Sequence, residues 1–135
     1  MSKPDTWMPF AGNDFFAATR PHPPETGLAY LKALWHYWHH NHCRGLPEIT
    51  EYLRRICEVE RDSWEATRAV VFDNVDFFTL GEDGLWHQKR CDEEWKIRDA
   101  LYRRAINGGL ARSSKLSDDK RREIAQKGAR ARWKR

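Results

Sequence analysis

EITEYLRRICEVERDSWEATRAVVFDNVDFFTLGEDGLWHQK, residues 48–89, is the stretch that decides the fold. Its first part predicts a helix from Glu48 to Glu58, with Ile49, Leu53, Ile56 and Cys57 on one face at helical steps of three and four. A second helix begins near Asp62 or Ser63, both good N-caps, and carries Trp64, Val71 and Val75 inward. Two short helices joined by a tight turn resemble a helix-turn-helix. Phe77-Phe-Thr-Leu80 and Leu85-Trp-His-Gln-Lys89 then supply two strand-forming runs joined by Gly81-Glu-Asp-Gly84, a β-hairpin signal. The expected fold class is therefore mainly α with a small β-hairpin, a winged-helix-like domain.

Upstream, Pro24 suits the first turn of a helix that begins near Thr26 and runs to about His40. Leu28, Leu31, Leu34, Trp35 and Trp38 mark its buried face, and Gly45 and Pro47 stop it. The opening Trp7-Met-Pro-Phe10 and Asp14-Phe15-Phe16 mix aromatics with Pro9 and Gly12, which predicts an extended arm packed on the core. Downstream, Asp92 to Ile106 reads as a further helix, with Glu94–Arg98 and Asp99–Arg103 spaced as i,i+4 ion pairs. Asn107-Gly108-Gly109 is expected to end or loosen it. A flexible joint then leads to a segment capped by Ser117 with few apolar residues, Ile124 and Trp133 among charges. The expected division is a winged-helix-like, aromatic-rich domain over 1–112 and a flexible basic C-terminal tail over 113–135, disordered or helical on binding.

The chain has 135 residues, enough for one core. Its seven Trp, four Tyr and six Phe predict a core dominated by aromatic rings. No apolar run reaches bilayer length and no signal peptide opens the chain, so a cytoplasmic location in a bacterial host cell and no membrane partner are expected. Cys43, Cys57 and Cys91 are odd in number and contain no CxxC pair, as reduced thiols would be. The net charge of +4 hides a strong asymmetry. Residues 1–95 hold 10 Lys and Arg against 16 Asp and Glu, a balance of −6, whereas residues 96–135 hold 14 against 4, a balance of +10. Such a separation predicts a basic segment that meets a polyanion.

The order and spacing of several short motifs are similar to those of the YdaU-like proteins of phages and prophages, a domain of largely unknown role often labelled replication-initiation from its gene neighbourhood. The resemblance rests on Trp7-Met-Pro-Phe10 with Asp14, Pro24-Glu-Thr-Gly-Leu-Ala-Tyr30 running into His36-Tyr-Trp38, Gly45-Leu-Pro47, Ser63-Trp-Glu65, Phe77-Phe78, and Asp83-Gly-Leu-Trp-His-Gln-Lys-Arg90 followed by Asp92-Glu-Glu94. It covers most of residues 5–95, and Lys127-Gly-Ala-Arg-Ala-Arg-Trp133 resembles the family's ending. The chain departs from the pattern between Phe10 and Phe16 and at His39, His40 and His42. The resemblance implies an accessory role in the DNA replication region.

A winged helix that reads DNA lays its third helix in the major groove. The outer face of that helix here would show Asp62, Glu65, Ala69 and Asp73, with only Arg61 and Arg68 as secondary cationic contacts, and Glu82 and Asp83 would sit at the wing tip. The tail meets the electrostatic requirement better, since Lys120, Arg121, Arg122, Lys127, Arg130, Arg132, Lys134 and Arg135 face a single Glu123. Lys120, Lys127, Arg130 and Lys134 form one helical stripe, and Trp133 is placed to stack on an unpaired base. His36, His39, His40, His42 and Cys43 cluster, with His36 and His40 at i,i+4, but Tyr37 stands where a metalloprotease has its Glu and no third ligand is evident. No metal, cofactor or catalytic constellation is expected. The expected function is a phage or prophage replication-region accessory protein whose folded domain docks a protein partner while the tail contacts nucleic acid, DNA before RNA, without sequence preference. The alternatives are a pure protein-interaction adaptor and a sequence-specific winged-helix repressor.

Overall fold

The structure is a computed structural model that describes residues 3–4, 7–73, 77–115 and 122–128. The chain falls into two units, Ser2–Asp99 and Ala100–Arg135. The first contains α1 (Gly12–Thr19), α2 (Pro24–His39), β1 (Leu46–Pro47), α3 (Thr50–Cys57), α4 (Arg61–Val71), β2 (Thr79–Leu80), β3 (Leu85–His87) and the first turns of α5 (Lys89–Lys115). A further helix, α6, covers 122–128.

The three strands form an antiparallel sheet in the order β1-β3-β2, with Leu46 opposite Trp86 and Leu80 opposite Trp86 on the other side. Helix, strand, two helices and a hairpin whose second strand lies central make a winged helix, as the sequence pattern of 48–89 predicts. Strand β1 was not expected: it is two residues long, below the length at which alternation can be read. Pro47 is tolerated there because β1 is an edge strand. Helix α4 begins at Arg61 and takes Glu60 as its flanking residue without a side-chain cap bond. The expected caps Asp62 and Ser63 therefore lie inside its first turn. Val75 lies outside the described residues.

Helix α2 is the central element and packs against α1, α3 and α4. Its Pro24 occupies the first turn, where a missing N–H costs nothing. The buried face differs from the leucine-marked one. Thr26, Ala29, Tyr30, Ala33, Leu34, Tyr37 and Trp38 point inward, whereas Leu28 is 52% and Trp35 50% exposed. The tyrosines can be buried because each hydroxyl has a partner: Tyr30 Oη accepts from Gln88 Nε2 at 3.1 Å, and Tyr37 Oη donates to Asp92. Ala29 and Ala33 leave room for the rings that pack on this face, among them Phe77 against Tyr30 at 4.4 Å. The core is aromatic, with Tyr37, Trp38, Phe72 and Phe78 the largest fully buried side chains.

Two other expectations change. The segment Gly12–Thr19 is helical, not extended. Asp14 lies in its first turn, where a carboxylate favours the helix dipole, and Phe15 stacks on Tyr30 at 5.8 Å. Among the described residues, Lys3–Pro4 and Trp7–Ala11 form the irregular arm, with Met8 against the core. At the other end, α5 starts at Lys89, where Gln88 Oε1 accepts from Cys91 N at 2.7 Å as a cap. It then continues through Asn107-Gly108-Gly109 to Lys115, past the expected boundary at residue 112. Each helical glycine costs about 1 kcal/mol, a weak preference that context overrides, and no proline forces a break.

The turn after α2 is the most constrained part of the backbone. His42 and Cys43 both have φ 55° and Gly45 has φ 120°. The Asn41 side chain spans the turn, donating to Gly45 O at 2.9 Å and accepting from Gly45 N at 2.7 Å. A Cβ on Gly45 would lie 2.7 Å from the Leu85 Cβ and 2.9 Å from the His87 ring. Gly45→Ala is therefore expected to cost about 2–4 kcal/mol through left-handed strain and displacement of β3; a urea midpoint equal to the native one would contradict this.

Candidate nucleic-acid interface

The face a winged helix would offer to a DNA groove is that of α4 and the wing. The exposed residues of α4 are Arg61, Asp62, Ser63, Glu65, Ala66 and Ala69, followed by Asp73, and Glu82 and Asp83 are exposed at the wing tip. Of the two secondary contacts expected from sequence, Arg68 is engaged elsewhere. Its guanidinium lies 2.7 Å from Glu48, 3.8 Å from Asp73 and 6.0 Å from the Trp86 ring centroid. Glu48 also accepts from Trp86 Nε1 at 2.7 Å, so this cluster joins α4 to β3. Arg61 is well exposed and lies 3.6 Å from Glu51. The surface is more anionic than cationic, and a duplex backbone would be repelled by it.

Two concavities flank the helices of the same unit. A groove of about 1290 Å³ is bounded by the arm, α1, α2 and the start of α5, with Met8, Phe10, Phe15, Leu34 and Trp38 among its lining. Beside it Trp7, Phe10 and Phe16 are each about half exposed, and the Arg98 guanidinium lies 4.8 Å from the Trp7 ring centroid. A smaller cleft of about 590 Å³ lies between α2 and α3, with His36 of α2 and His40 just after it among its lining. In the cleft His36 Nε2 bonds Tyr52 Oη at 2.6 Å and the ring of His40 lies 5.0 Å from Trp35, and the ring of His39 lies 4.9 Å from Trp35. Burial lowers the His36 pKa, with His40 adding to the effect. Among the described residues no three His, Cys, Asp or Glu side chains gather as metal ligands.

The profile of a family described as "Protein of unknown function (DUF1376)" matches residues 6–96, two-thirds of the chain. The chain belongs to the DUF1376 family. No curated protein and no solved structure matches it. The DUF1376 match takes in the arm, the winged helix and the opening turns of α5, and it stops at Lys96, the residue where the charge balance changes sign.

Of the basic residues beyond the DUF1376 match, α5 carries Arg103, Arg104 and Arg112 on an exposed stretch, and Arg112 Nε donates to Gly108 O at 3.2 Å. Arg122 and Lys127 are exposed on α6, with Ile124 also exposed. Lys120, Arg121, Arg130, Arg132, Trp133, Lys134 and Arg135 lie outside the described residues, so the expected stripe is represented here by Lys127 alone. Among the described residues no helix is long and apolar enough to cross a membrane.

Sequence reading missed the polar network under the wing, in which Tyr37 meets His87 and Asp92 from 50 or more residues away along the chain. Tyr37 Oη donates to Asp92 Oδ1 and lies 3.1 Å from His87 Nδ1, and His87 Nε2 lies 2.8 Å from Asp83 Oδ2. Burial raises the Asp92 pKa even though the Tyr37 bond opposes it. Burial also pushes the Cys57 and Cys91 thiols from an ordinary 9.0, and the Tyr30 hydroxyl from 10.0, up to about 12. The fold thus favours the protonated form of each. Their contribution is fully present below about pH 9 and is lost as the pH rises toward 12, because the unfolded chain releases protons first. From about pH 7 melting temperature should be level up to about pH 9 and then fall, each group adding a slope of about 1.4 kcal/mol per pH unit. A melting temperature still level near pH 11 would refute this.

Proposed function

We propose that this DUF1376 protein is a non-enzymatic accessory factor of the phage or prophage replication region, of the YdaU-like kind, working in the bacterial cytoplasm. Its C-terminal basic segment contacts nucleic acid, DNA before RNA, without reading sequence, and its folded body docks a protein partner. The observation that carries this reading is the division of charge. The α4 face and wing tip, where a winged helix would read a duplex, expose more carboxylates than free cations, while residues 96–135 carry a balance of +10. The docking role is supported by the large aromatic groove beside Trp7, Phe10 and Phe16, since such patches on a soluble domain mark interaction surfaces. Replication is drawn from the motif resemblance.

Fluorescence anisotropy with duplex and single-stranded oligonucleotides across a salt series tests the reading, using the full chain and a chain ending at Lys115. Duplex binding that survives the truncation would refute the role of the tail. Retained binding with a strong preference for one duplex sequence would favour a repressor, and no binding by either form would favour an adaptor.

A further inference from the structure

The α2–α3 cleft is lined by Lys32, Trp35, His36, His40, Tyr52 and Arg55, together with Ile56, Glu51 and Glu58. Trp35 is the feature that asks for an explanation. It stands on the outer side of α2, half exposed, although a ring of its size is ordinarily among the most buried on a helix. The rings of His39 and His40 lie against it. Across the cleft His36 and Tyr52 pack edge to face at 5.6 Å and hold one another by their hydrogen bond. The cleft therefore presents several aromatic faces and edges in a fixed arrangement.

Its charges are arranged so that one cation, Arg55, stays out of the salt bridges. Glu51 is drawn to Arg54 at 2.9 Å and to Arg61 at 3.6 Å, and Glu58 is bound to Lys32 at 2.6 Å. Arg55 is exposed and makes no salt bridge with any described residue. One aliphatic side chain, Ile56, lines the cleft, too little for an amphipathic peptide helix, which needs apolar anchors at successive turns. No glycine lines it, so there is no glycine-rich backbone loop of the kind that cradles a polyphosphate.

We infer that the cleft between α2 and α3 is a binding site for single-stranded nucleic acid, in which an unpaired base stacks on Trp35 and an adjoining phosphate pairs with Arg55. Aromatic stacking beside cations is how sequence-tolerant single-strand sites work, because every base has a π-face. A duplex cannot use the site, as its bases are already stacked on one another. The inference rests on the nucleic-acid part of the function proposed above and adds to it a strand preference located in the folded body.

The test is anisotropy of a labelled oligothymidylate and a labelled duplex with the full-length protein, its Trp35→Ala, Trp35→Phe and Arg55→Gln variants, and a full-length variant with Lys120, Arg121, Arg122, Lys127, Arg130 and Arg132 changed to Gln. Trp35→Ala is expected to weaken oligothymidylate binding about 10-fold or more while leaving duplex affinity and its salt slope unchanged. Trp35→Phe retains most of the affinity, since it keeps a ring. Arg55→Gln lowers the single-strand salt slope by about 0.7. Unchanged oligothymidylate affinity in both Trp35→Ala and Arg55→Gln overturns the inference, as does equal weakening on both nucleic acids, and as does thymidine monophosphate binding as tightly as the strand. If the tail variant loses duplex binding while Trp35→Ala changes nothing, the tail reading stands and the cleft does not; the reverse pattern removes the tail and keeps the cleft.

Discussion

A chain ending at Lys115 is expected to lose nearly all affinity for duplex DNA, and the full chain to show a log-affinity against log-salt slope of about −5 to −7. The slope follows from six to eight phosphate contacts at about −0.9 each on a duplex. The corresponding cations are the eight Lys and Arg residues between Lys120 and Arg135. Between about 50 and 200 mM salt the full chain should therefore weaken about 10³- to 10⁴-fold. Removing residues 116–135 takes away these eight cations and three carboxylates, which converts a net charge of +4 into −1. What remains is a body whose α4 face is acidic. A slope near zero for the full chain, or a truncated chain that binds duplex as well as the full one, would show that the tail does not hold phosphates.

Replacing Trp38 by alanine is expected to cost about 3–5 kcal/mol, a large part of the 5–15 kcal/mol that holds a typical domain together. Trp38 is fully buried, its ring meets Trp95 edge to face at 5.0 Å, and its indole N–H donates to Pro4 O at 3.0 Å. The substitution leaves a cavity at the junction of α2, α5 and the N-terminal arm and an acceptor without its donor. Urea unfolding should show the midpoint falling steeply with the slope unchanged. Trp35→Ala, three residues earlier on the same helix, should move the midpoint far less, because half of that ring is already in water. Equal destabilisation by the two substitutions would mean that the inner face of α2 has been wrongly assigned.

The contrast between these two tryptophans marks how far the sequence could be read. The order of elements across 48–89 was legible because short amphipathic helices and a glycine-bounded hairpin leave local signals: α3, α4, β2 and β3 all fall within the stretches the pattern marks, although Ile49, expected on the inner face of α3, precedes that helix and is exposed. The exposed, acidic side of α4 was legible too, since Trp64 and Val71 fix its inward face. The face of α2 was not. Leu28, Ala29, Tyr30, Leu31, Ala33, Leu34, Trp35, Tyr37 and Trp38 make that helix apolar nearly all round, so hydrophobicity alone gives its rotation no preferred angle.

What settled that rotation lies far along the chain. Gln88 and Asp92 accept or supply the hydrogen bonds that make Tyr30 and Tyr37 affordable in the core, and Trp95 closes over Trp38. The same choice turned Trp35 outward and so created the cleft with Tyr52 and Arg55. By itself the sequence determined the winged-helix order, the aromatic core and the separation of an acidic body from a basic end, because local periodicity and charge are carried by neighbours in the chain. Only the tertiary structure decided which aromatic rings are core and which are surface, because Tyr30, Tyr37, Trp38 and Trp86 are buried with polar partners that distant segments bring to them.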